Sequence, residues 1–477
     1  MKYNRIISAI LSAVLVVAFV SCSNGKSSTS DEYKNETVAD SEISDFTADL
    51  SRERYDGYNY RIQVRKGSSF TQYFDEPQED VVNDAIYRRN KDVEARFGIT
   101  ISCVEGEGNN TDISALNSIL AGDDAYDIIF THSRSAFVYA LQGAAINIHD
   151  IPEIHLEKPW WSADISDSCT VNGKLYVLDG DISVNSLQNT MCMYFNKRIF
   201  DELGYDYPYD AIKDGDWTFD DFAYYAKKAS ADLNGDGVIT PEVDRFGFVT
   251  AEWGAPINIL YAGGGKIFDK NDEGELYLSL YSNKTVEIFD SFFGLMDSEA
   301  CYMQMLNPAG GYYNPNIFQE GRAMFYADSL GVAKNMRAMD DDFGIIPYPK
   351  FDEDDPYSTA INGYAPLAII PITVSDTSRT GAITEALAAY GSEYVIPAFY
   401  ETALKSKYAR DEQSEEMIDI IKTSIIFDLG YLCGSTYESC GRDLANLSDK
   451  NFSSWYTARE SQARTNLENF VKNYGGE

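Results

Sequence analysis

The stretch "EDVVNDAIYRRNKDVEARFGITISCV", residues 79–104, joins a predicted helix directly to a predicted strand. Apolar residues recur near helical spacing from Val82 to Phe97, and Gly98 ends the run. The segment 99–104 then has the β-branched and alternating character of a strand. This junction predicts one helix-to-strand step of an α/β fold.

The flanking segments extend the same alternation in both directions. Residues 58–64, "YNYRIQV", alternate as a strand, 112–122 predict a second helix, and "YDIIF" at 126–130 predicts a buried strand. A βαβαβ order is typical of a parallel sheet covered by helices. Ligands of such sheets lie beyond the carboxyl ends of the strands, so the loop "THSRS" at 131–135 is a candidate site.

The composition limits the domain count and the partners. A chain of 477 residues predicts two or three domains. The 75 acidic residues against 39 basic ones give a formal net charge of −36. A phosphate backbone repels such a surface, so nucleic acid is excluded as a partner, and broad contact with anionic lipid is disfavoured.

The N-terminus has the form of a signal peptide. Two basic residues precede an apolar run at 6–20 that is short for a membrane span. Ser21 before Cys22 resembles a bacterial lipobox, although Leu is usual at the position of Phe19. We therefore expect residues 1–22 to be a lipoprotein signal with a lipidated Cys22, on the extracellular face of the cell membrane. An uncleaved anchor or an ordinary cleavage site is the alternative.

Neither the segment after Cys22 nor the remaining cysteines indicate a catalytic or metal site. Residues 23–54 are polar and rich in Ser, Asp and Glu, which predicts a flexible tether. No CxxC pair or zinc cluster occurs. Cys433 and Cys440 are spaced to pair across a short loop, and buried free thiols are the alternative.

Several further segments carry a resemblance to a known family. The chain resembles the extracellular solute-binding proteins of ATP-driven carbohydrate importers, of the maltodextrin-binding type. The matching segments, in family order, are "YDIIF" (126–130), "VNGKLYVLDGD" (171–181), "MYFNKRIFDELG" (193–204), "DWTFDDFAYYAKKA" (216–229), "YAGGGKIF" (261–268), "FQEGRAMFYADS" (318–329), "FGIIPYPK" (343–350) and "YAPLAIIP" (364–371). Each segment alone is weak, and together they say little about the solute.

The resemblance implies a two-lobed α/β fold of the periplasmic-binding-protein type with a hinge and an interlobe cleft. The chain would cross the hinge near 181–188, 363–370 and 398–402. The implied lobe boundaries are 55–185 and 366–400 for the first lobe, and 186–365 and 401–477 for the second. The solute would lie between the lobes and favour closure. An ABC permease is the implied partner, and we expect a monomer without a catalytic cofactor.

Nine candidate ligand-binding residues follow from strand ends, hinge crossings and the resemblance. Trp253 is the best candidate to stack on a sugar ring, and Asp179 and Asp181 would accept hydrogen bonds from hydroxyls. The structural alternative for Trp253 is burial in the core, and for Asp179 and Asp181 it is solvation of the hinge. The full set is His132, Ser133, Asp179, Asp181, Trp253, Tyr326, Asp328, Asn362 and Tyr364.

The stretch "DLNGDGVITPEVD", residues 232–244, resembles half of a calcium loop, with oxygen-bearing residues at positions 1, 3 and 5. Val243 stands at position 12, where an EF-hand has Glu. Family members often carry such an acidic turn in this context, which favours a structural calcium over a regulatory one. An Asx-rich turn without metal is the alternative. The implied ligands are Asp232, Asn234, Asp236, the carbonyl of Val238, Glu242 and Asp244.

Three rival functions compete with a sugar receptor. A glycoside hydrolase needs two carboxylates at a defined separation, and with 75 acids a pair can always be imagined. The absence of GxSxG, HExxH and Walker motifs argues against other enzymes, so we expect no catalysis. Strand–helix alternation argues against a helical-repeat glycan-binding lipoprotein. A non-sugar solute, such as a peptide or polyol, stays open.

Overall fold

The computed structural model describes residues 47–67, 71–106, 108–305, 314–336, 338–363, 365–400 and 412–476. The predictions of a lipidated Cys22, of the tether up to residue 46, and of a ligand contact by Tyr364 lie outside the described residues. No helix in the described ranges combines the length and the apolar character that crossing a membrane requires.

The strands form two larger sheets and two short pairs. The first sheet has the order β12-β3-β1-β2, and the second has the order β10-β4-β9-β5-β8. The strands are β1 Asn59–Arg65, β2 Thr100–Gly106, β3 Ile128–His132, β4 Met191–Asn196, β5 Phe246–Ala251, β6 Phe268–Lys270, β7 Leu276–Leu278, β8 Cys301–Gln304, β9 Ala323–Ser329, β10 Phe343–Ile346, β11 Thr359–Ala360, β12 Pro366–Ile369 and β13 Ile425–Ile426.

Helices cover both sheets. We call the first sheet with its helices lobe 1, and the second sheet with its helices lobe 2. The helices are α1 Val81–Phe97, α2 Gly108–Leu120, α3 Ser133–Leu141, α4 Ala163–Cys169, α5 Asn185–Gln188, α6 Lys197–Leu203, α7 Tyr209–Asp214, α8 Phe219–Ala229, α9 Ala255–Ala262, α10 Asn283–Met296, α11 Asn314–Gln319, α12 Thr377–Tyr390, α13 Glu412–Thr423, α14 Leu429–Leu432, α15 Cys440–Ala445, α16 Phe452–Thr457 and α17 Glu460–Gly475.

The opening βαβαβ prediction matches lobe 1. Strand β1 lies between β2 and β3 and is parallel to both, while β12 returns late in the chain and pairs antiparallel to β3. Helix α1 begins where the Asp80 side chain accepts from the amides of Val82 and Asn83, and it ends at Gly98 with φ 72°. The sequence junction at 79–104 therefore forms the helix and strand that it predicts.

Local signals also place α8 in lobe 2. The Thr218 side chain accepts from the Asp221 amide while the Asp221 carboxylate accepts from the Thr218 amide, which is the predicted capping box. The rings of Trp217 and Phe222 lie 6.5 Å apart, edge to face. Trp217 is buried in the core and therefore has a structural role.

Two sequence signals differ from the structure. Asn172-Gly173 between alternating residues is typical of a hairpin; the pair forms a turn, with φ 51° and 73°, but only the single bridge from Val171 to Lys174 flanks it. The hairpin does not extend because the next residues leave this pair, and Leu178 instead bridges to Ala368. The C-terminal segment from residue 453 has the pattern of one closing helix, but α16 and α17 are separate.

The chain passes close to itself where the sheets meet. Thr190 bridges to Ile361, and the Asn362 amide donates to the Asn189 carbonyl at 2.8 Å. Strand β11 pairs with β13 beside them. These pairs lie near the first two predicted crossings, while the residue boundaries of the lobes stay a prediction.

Candidate functional site

A cavity of about 340 Å³ lies at the carboxyl end of β3, beside the loop after β5 and the second predicted crossing. We call it the cleft pocket. Its lining includes Trp253 and Asn362, two of the predicted ligand residues. The remaining lining residues are Arg134, Glu252, Ile257, Gly363, Tyr431, Glu438, Ser439, Gly441 and Arg442.

The lobe 1 side of the cleft pocket is built on the end of β3. Ser133 is fully buried, and its hydroxyl donates to the Gly363 carbonyl at 2.7 Å. Its amide donates to the Ala365 carbonyl at 3.2 Å. Ser133 therefore fixes the second crossing against lobe 1, and Arg134, the next residue, faces the pocket.

His132 lies one residue before this contact in a charged setting. Arg65 Nη1 lies 2.9 Å from His132 Nε2, and Arg65 Nε donates to Asp112 Oδ1 at 3.0 Å. Burial and the Arg65 charge lower the pKa of His132 to about 4. His132 is therefore neutral at physiological pH and belongs to this cluster, outside the lining of the cleft pocket.

The lobe 2 side follows β5 directly. The Glu252 amide donates to the Gln304 carbonyl at 3.1 Å, which holds the loop against β8. The Glu252 side chain is 3% exposed, and its carboxylate accepts from Asn446 Nδ2 at 3.0 Å. Trp253 is half-buried at the pocket wall, as its position in a loop between Glu252 and Gly254 predicts.

Charged residues from both halves of the chain face the cleft pocket. Arg134 and Glu438 form an ion pair. The Gly363 amide donates to the Tyr431 hydroxyl at 3.1 Å. Within the described residues, no ion pair or side-chain hydrogen bond engages the Arg442 guanidinium. The pocket thus offers acceptors, a paired cation and one available guanidinium beside an indole.

Two predicted ligand residues lie on β9 in lobe 2, Tyr326 in the core and Asp328 half-buried near the strand end. Tyr326 is 0% exposed and stacks 5.8 Å from Tyr194, so it does not reach the pocket. Its hydroxyl donates to the Asp328 carboxylate, which also accepts from the Ser329 amide at 2.7 Å. Burial raises the pKa of Asp328. Both assignments are corrected to structural roles, because β9 is buried on both faces along most of its length.

Asp179 and Asp181 line a different cavity, beside the first predicted crossing. Asp179 is 6% exposed, and Ser186 donates its hydroxyl to it at 2.5 Å. Burial raises the pKa of Asp179 to about 7 and also raises that of Asp181. The structure therefore does not bring these carboxylates to the cleft pocket.

Tryptophans and cysteines outside the predicted site have structural roles. Trp160 and Trp161 are 3% and 5% exposed, as predicted for packing in lobe 1. Trp455 is buried with its ring 5.4 Å from that of Tyr437, away from the cleft pocket. Cys433 and Cys440 are free thiols, which resolves the two alternatives for this pair.

The pocket also contains residues that the sequence did not suggest. Arg134 stands inside the quoted loop 131–135, and Glu252 adjoins Trp253, so both were within reach of the prediction. Tyr431, Glu438 and Arg442 come from short C-terminal segments without a recognisable pattern. Only tertiary packing brings them to the end of β3.

The acidic loop is a hydrogen-bonded turn. Asp232 accepts from the Gly235 and Gly237 amides, both at 2.7 Å. Asn234 and Asp236 each accept from the amide two residues on, at 2.9 and 2.8 Å. Asp244 is buried and accepts from the Leu233 and Thr240 amides, at 2.9 and 2.8 Å, and these bonds lower its pKa.

This arrangement does not present a metal-ligand cluster. Among the described residues, no three His, Cys, Asp or Glu side chains converge in a way that could hold a metal ion. The Glu242 side chain is exposed, and Val238 contributes its amide to Asp236. The turn alternative accounts for the observed contacts, and the calcium assignment stays a prediction.

A family model matches residues 64–385, and its description is "Bacterial extracellular solute-binding protein". The chain belongs to this family. The match covers the second sheet, the first sheet except most of β1, and the cleft pocket up to Gly363, so the resemblance seen in the quoted segments is confirmed. Comparison with curated proteins found no match.

Solved structures show the same fold. An ABC substrate-binding protein of Listeria monocytogenes in complex with cycloalternan is 14% identical, with a TM-score of 0.52, over 88% of this chain and 100% of that one. UgpB of Mycobacterium tuberculosis, in complex with glycerophosphocholine, is 16% identical, with a TM-score of 0.57, over 86% and 98%. A sugar transporter of Rhizobium etli in an open conformation is 13% identical, with a TM-score of 0.57, over 88% and 99%.

At these identities the likeness concerns the fold alone. The predicted fold class, a two-lobed α/β fold of the periplasmic-binding-protein type, is confirmed by the family match and by these neighbours. As an extracellular solute-binding protein, the chain belongs to a family of binding proteins.

Proposed function

We propose that this protein is an extracellular receptor that binds an oligosaccharide between its two lobes and delivers it to the permease of an ABC importer. The proposal includes a lipid anchor at Cys22 on the outer face of the bacterial cell membrane. It also includes a monomeric chain, no catalytic cofactor and no turnover of the sugar. Family membership supports the receptor role, and the cleft pocket supports the solute class.

Our proposal that the solute is a sugar rests on Trp253, which is half-buried in the wall of the cleft pocket. Glu252 and Asn362 line the same pocket. An indole face packs on the C–H face of a sugar ring while neighbouring polar groups bind its hydroxyls. The Glu252 carboxylate accepts hydroxyl hydrogen bonds, and Asn362 offers an amide donor and acceptor. The Listeria neighbour binds an oligosaccharide, which agrees with this class.

The basic residues of the pocket would act as donors to the solute. Arg134 is already paired with Glu438, which fixes its position at the pocket wall. Arg442 is available to donate to sugar oxygens. The opposite charges of Glu252 and Arg442 suit a ring with vicinal hydroxyls, because one hydroxyl donates while its neighbour accepts.

The two lobes should close on a bound solute because each lobe contributes one wall of the cleft pocket. Arg134 lies in the first turn of α3 on lobe 1, whereas Trp253 follows β5 in lobe 2. A solute that contacts both walls binds the closed form better than the open form, and this difference in affinity drives closure. The motion belongs to the hinge class.

One observation favours a second candidate, a solute with an anionic group. An available guanidinium in a pocket binds carboxylate or phosphate with paired hydrogen bonds, and Arg442 provides one. The Mycobacterium tuberculosis neighbour binds a phosphodiester, glycerophosphocholine. No observation of this kind favours a neutral peptide or a polyol as the solute. If the protein hydrolysed the bound sugar, it would be an enzyme and not a receptor.

A thermal-shift screen separates these candidates. A solute that binds only the native state raises the unfolding midpoint, so neutral oligosaccharides, acidic sugars, glycerophosphodiesters and short peptides are compared at equal concentration. We expect the largest shift from an oligosaccharide, and chromatography after incubation should recover that sugar unchanged. Small-angle scattering should show contraction with the same sugar. Shifts only from phosphodiesters would support the second candidate, and released product would refute the receptor role.

A further inference from the structure

A second cavity, of about 220 Å³, lies beside the first predicted crossing and shares no lining residue with the cleft pocket. We call it the hinge cavity. Its aromatic lining consists of Trp160, Trp161 and Phe427, all of which are buried. Its mouth carries Asp164 and Lys422, which are exposed. The cavity therefore opens to solvent at these two residues and has an aromatic inner wall.

The inner wall carries the Asp179 carboxylate, which no cation pairs in the part of the chain that the structure describes, whereas the charge of Lys422 acts on Asp181. Asp179 is 6% exposed and lines the cavity together with Asp181. Among the described residues, no lysine or arginine forms an ion pair with either carboxylate. Lys422 lies 4.9 Å from the ring centroid of Tyr400 and so is directed to an aromatic face. A buried carboxylate without a cation is unfavourable unless it takes a proton or a cationic ligand.

The indole and Ser186 donors of the wall are engaged within the protein, and the lysine of the lining, Lys422, lies at the exposed mouth. The indole nitrogens of Trp160 and Trp161 both donate to Glu385, at 3.0 and 2.7 Å, so they are not available to a ligand. The Ser186 hydroxyl donates to Asp179. A sugar or an anion needs donors that these groups no longer provide. A cation that donates hydrogen bonds fits both the carboxylates and the aromatic surface.

We propose that the hinge cavity binds a small organic cation, a primary ammonium on a short carbon chain, with its charge at Asp179. This site is independent of the proposed sugar site, because the two cavities have different linings. An apolar cavity of about 150 Å³ holds a benzene-sized guest. The hinge cavity, of about 220 Å³, therefore has room for a four-carbon ammonium.

The charge balance of the site predicts a proton release on binding. The charged groups that face the cavity are Asp164, Asp179, Asp181 and Lys422. Asp179 is the one whose pKa, raised by burial to about 7, leaves it partly protonated near neutral pH. An ammonium favours the carboxylate form, so binding at pH 6.5 should release a proton that binding at pH 8.5 does not release.

Calorimetric titration of the full chain tests the proposal with n-butylammonium chloride and the uncharged n-butanol as probes. We expect saturable one-to-one binding of the ammonium and at least tenfold weaker binding of the alcohol. Titration in phosphate and in MES, neither of which is a primary ammonium, should give different heats at pH 6.5, because the released proton is taken up by buffers of different ionisation enthalpy. At pH 8.5 two buffers of different ionisation enthalpy, borate and HEPPS, should give the same heat.

Two variants locate the site. Asp179→Asn should weaken n-butylammonium binding at least tenfold and abolish the buffer dependence, whereas Glu287→Gln, on the exposed face of α10 and outside the hinge cavity, should leave affinity unchanged. The proposal is overturned if the intact chain binds no ammonium, if the alcohol binds equally well, or if Asp179→Asn binds as the parent does. Failure of these tests leaves the sugar screen unaffected, since that screen reports on the cleft pocket.

Discussion

Trp161 donates its indole N–H to Oε2 of Glu385 at 2.7 Å, and this bond ties helix α12 to the loop before the first predicted crossing. Trp160 donates to the other oxygen of the same carboxylate at 3.0 Å. Trp161 also bridges to Gly180, and the Asp181 amide donates to the Trp160 carbonyl at 2.8 Å. One buried carboxylate thus positions the segment that leads into lobe 2.

Replacing this carboxylate should be costly. Glu385→Leu keeps the side-chain volume but leaves two buried indole N–H groups without an acceptor. Each unsatisfied donor costs about 1–3 kcal/mol, so we expect the free energy of unfolding to fall by about 2–5 kcal/mol. Urea denaturation measures it. Glu287→Leu, on the exposed face of α10, is the matched control and should change stability by less than about 0.5 kcal/mol. Equal effects from the two variants would contradict the role assigned to Glu385.

Asp179 should make stability depend on pH. Burial raises its pKa from 3.8 to about 7 in the folded chain, so the folded state binds this proton more tightly than the unfolded state. The contribution is fully present below about pH 3.8 and is lost as pH rises through about 7. The loss is on the order of 4 kcal/mol at full ionisation.

The variant Asp179→Asn isolates this contribution. Between pH 5 and pH 8 the parent chain should lose stability relative to the variant, because the amide does not ionise. Urea denaturation at both pH values gives the difference directly. A parent and variant whose stabilities change in parallel would show that Asp179 has an ordinary pKa in the folded chain.

The cleft pocket should depend on Trp253 for affinity more than for stability. Trp253→Ala removes the stacking face, and we expect at least tenfold weaker binding of the sugar found by the thermal-shift screen. That is about 1.4 kcal/mol. Trp253→Phe keeps part of the aromatic face and should bind with intermediate affinity. Trp217→Phe, in the buried core of lobe 2, should instead lower stability and leave affinity unchanged. Unaltered affinity in Trp253→Ala would remove this residue from the site.

Sequence patterns predicted the framework better than the site. The capping box at Thr218 and Asp221 and the glycine end of α1 are local signals, so α8 and α1 were placed correctly. Tyr326 was misplaced because the family resemblance identifies the segment and not which of its side chains is open, and Tyr326 lies in the part of β9 that is buried on both faces. Arg442 and Tyr431 could not be found, since they reach the cleft pocket only through the packing of α14 and α15 beside the second crossing.

The acidic turn should be stabilised by Asp232 itself. Asp232→Ala removes the acceptor of the Gly235 and Gly237 amides. A typical hydrogen bond contributes about 0.5–1.5 kcal/mol, so we expect a loss of about 1–3 kcal/mol. Asp220→Ala, on the exposed face of α8, is the control.

A chelator decides between the two interpretations of this turn. The hydrogen-bonded turn predicts an unchanged thermal midpoint when EDTA is added and when calcium is restored. A midpoint that falls with EDTA and recovers with calcium, together with calcium in the purified protein, would establish the calcium assignment. Sugar affinity should not change in either case, because the loop does not line the cleft pocket.

Two glycines in helical segments should respond to alanine with opposite signs. Gly391 begins the π-helical turn after α12, and a Cβ there would lie 2.0 Å from the Asp181 carbonyl oxygen. Because that oxygen is backbone, Gly391→Ala must displace the first crossing, and we expect a loss of about 1–3 kcal/mol. Gly294 lies on the exposed side of α10, where a methyl group would meet no atom within 4 Å beyond its own helical turns. Gly294→Ala should therefore stabilise the chain by about 0.5–1 kcal/mol through helix propensity. Thermal unfolding of both variants measures the contrast. If Gly391→Ala were as stable as the parent, the close packing of α12 on the first crossing would be refuted.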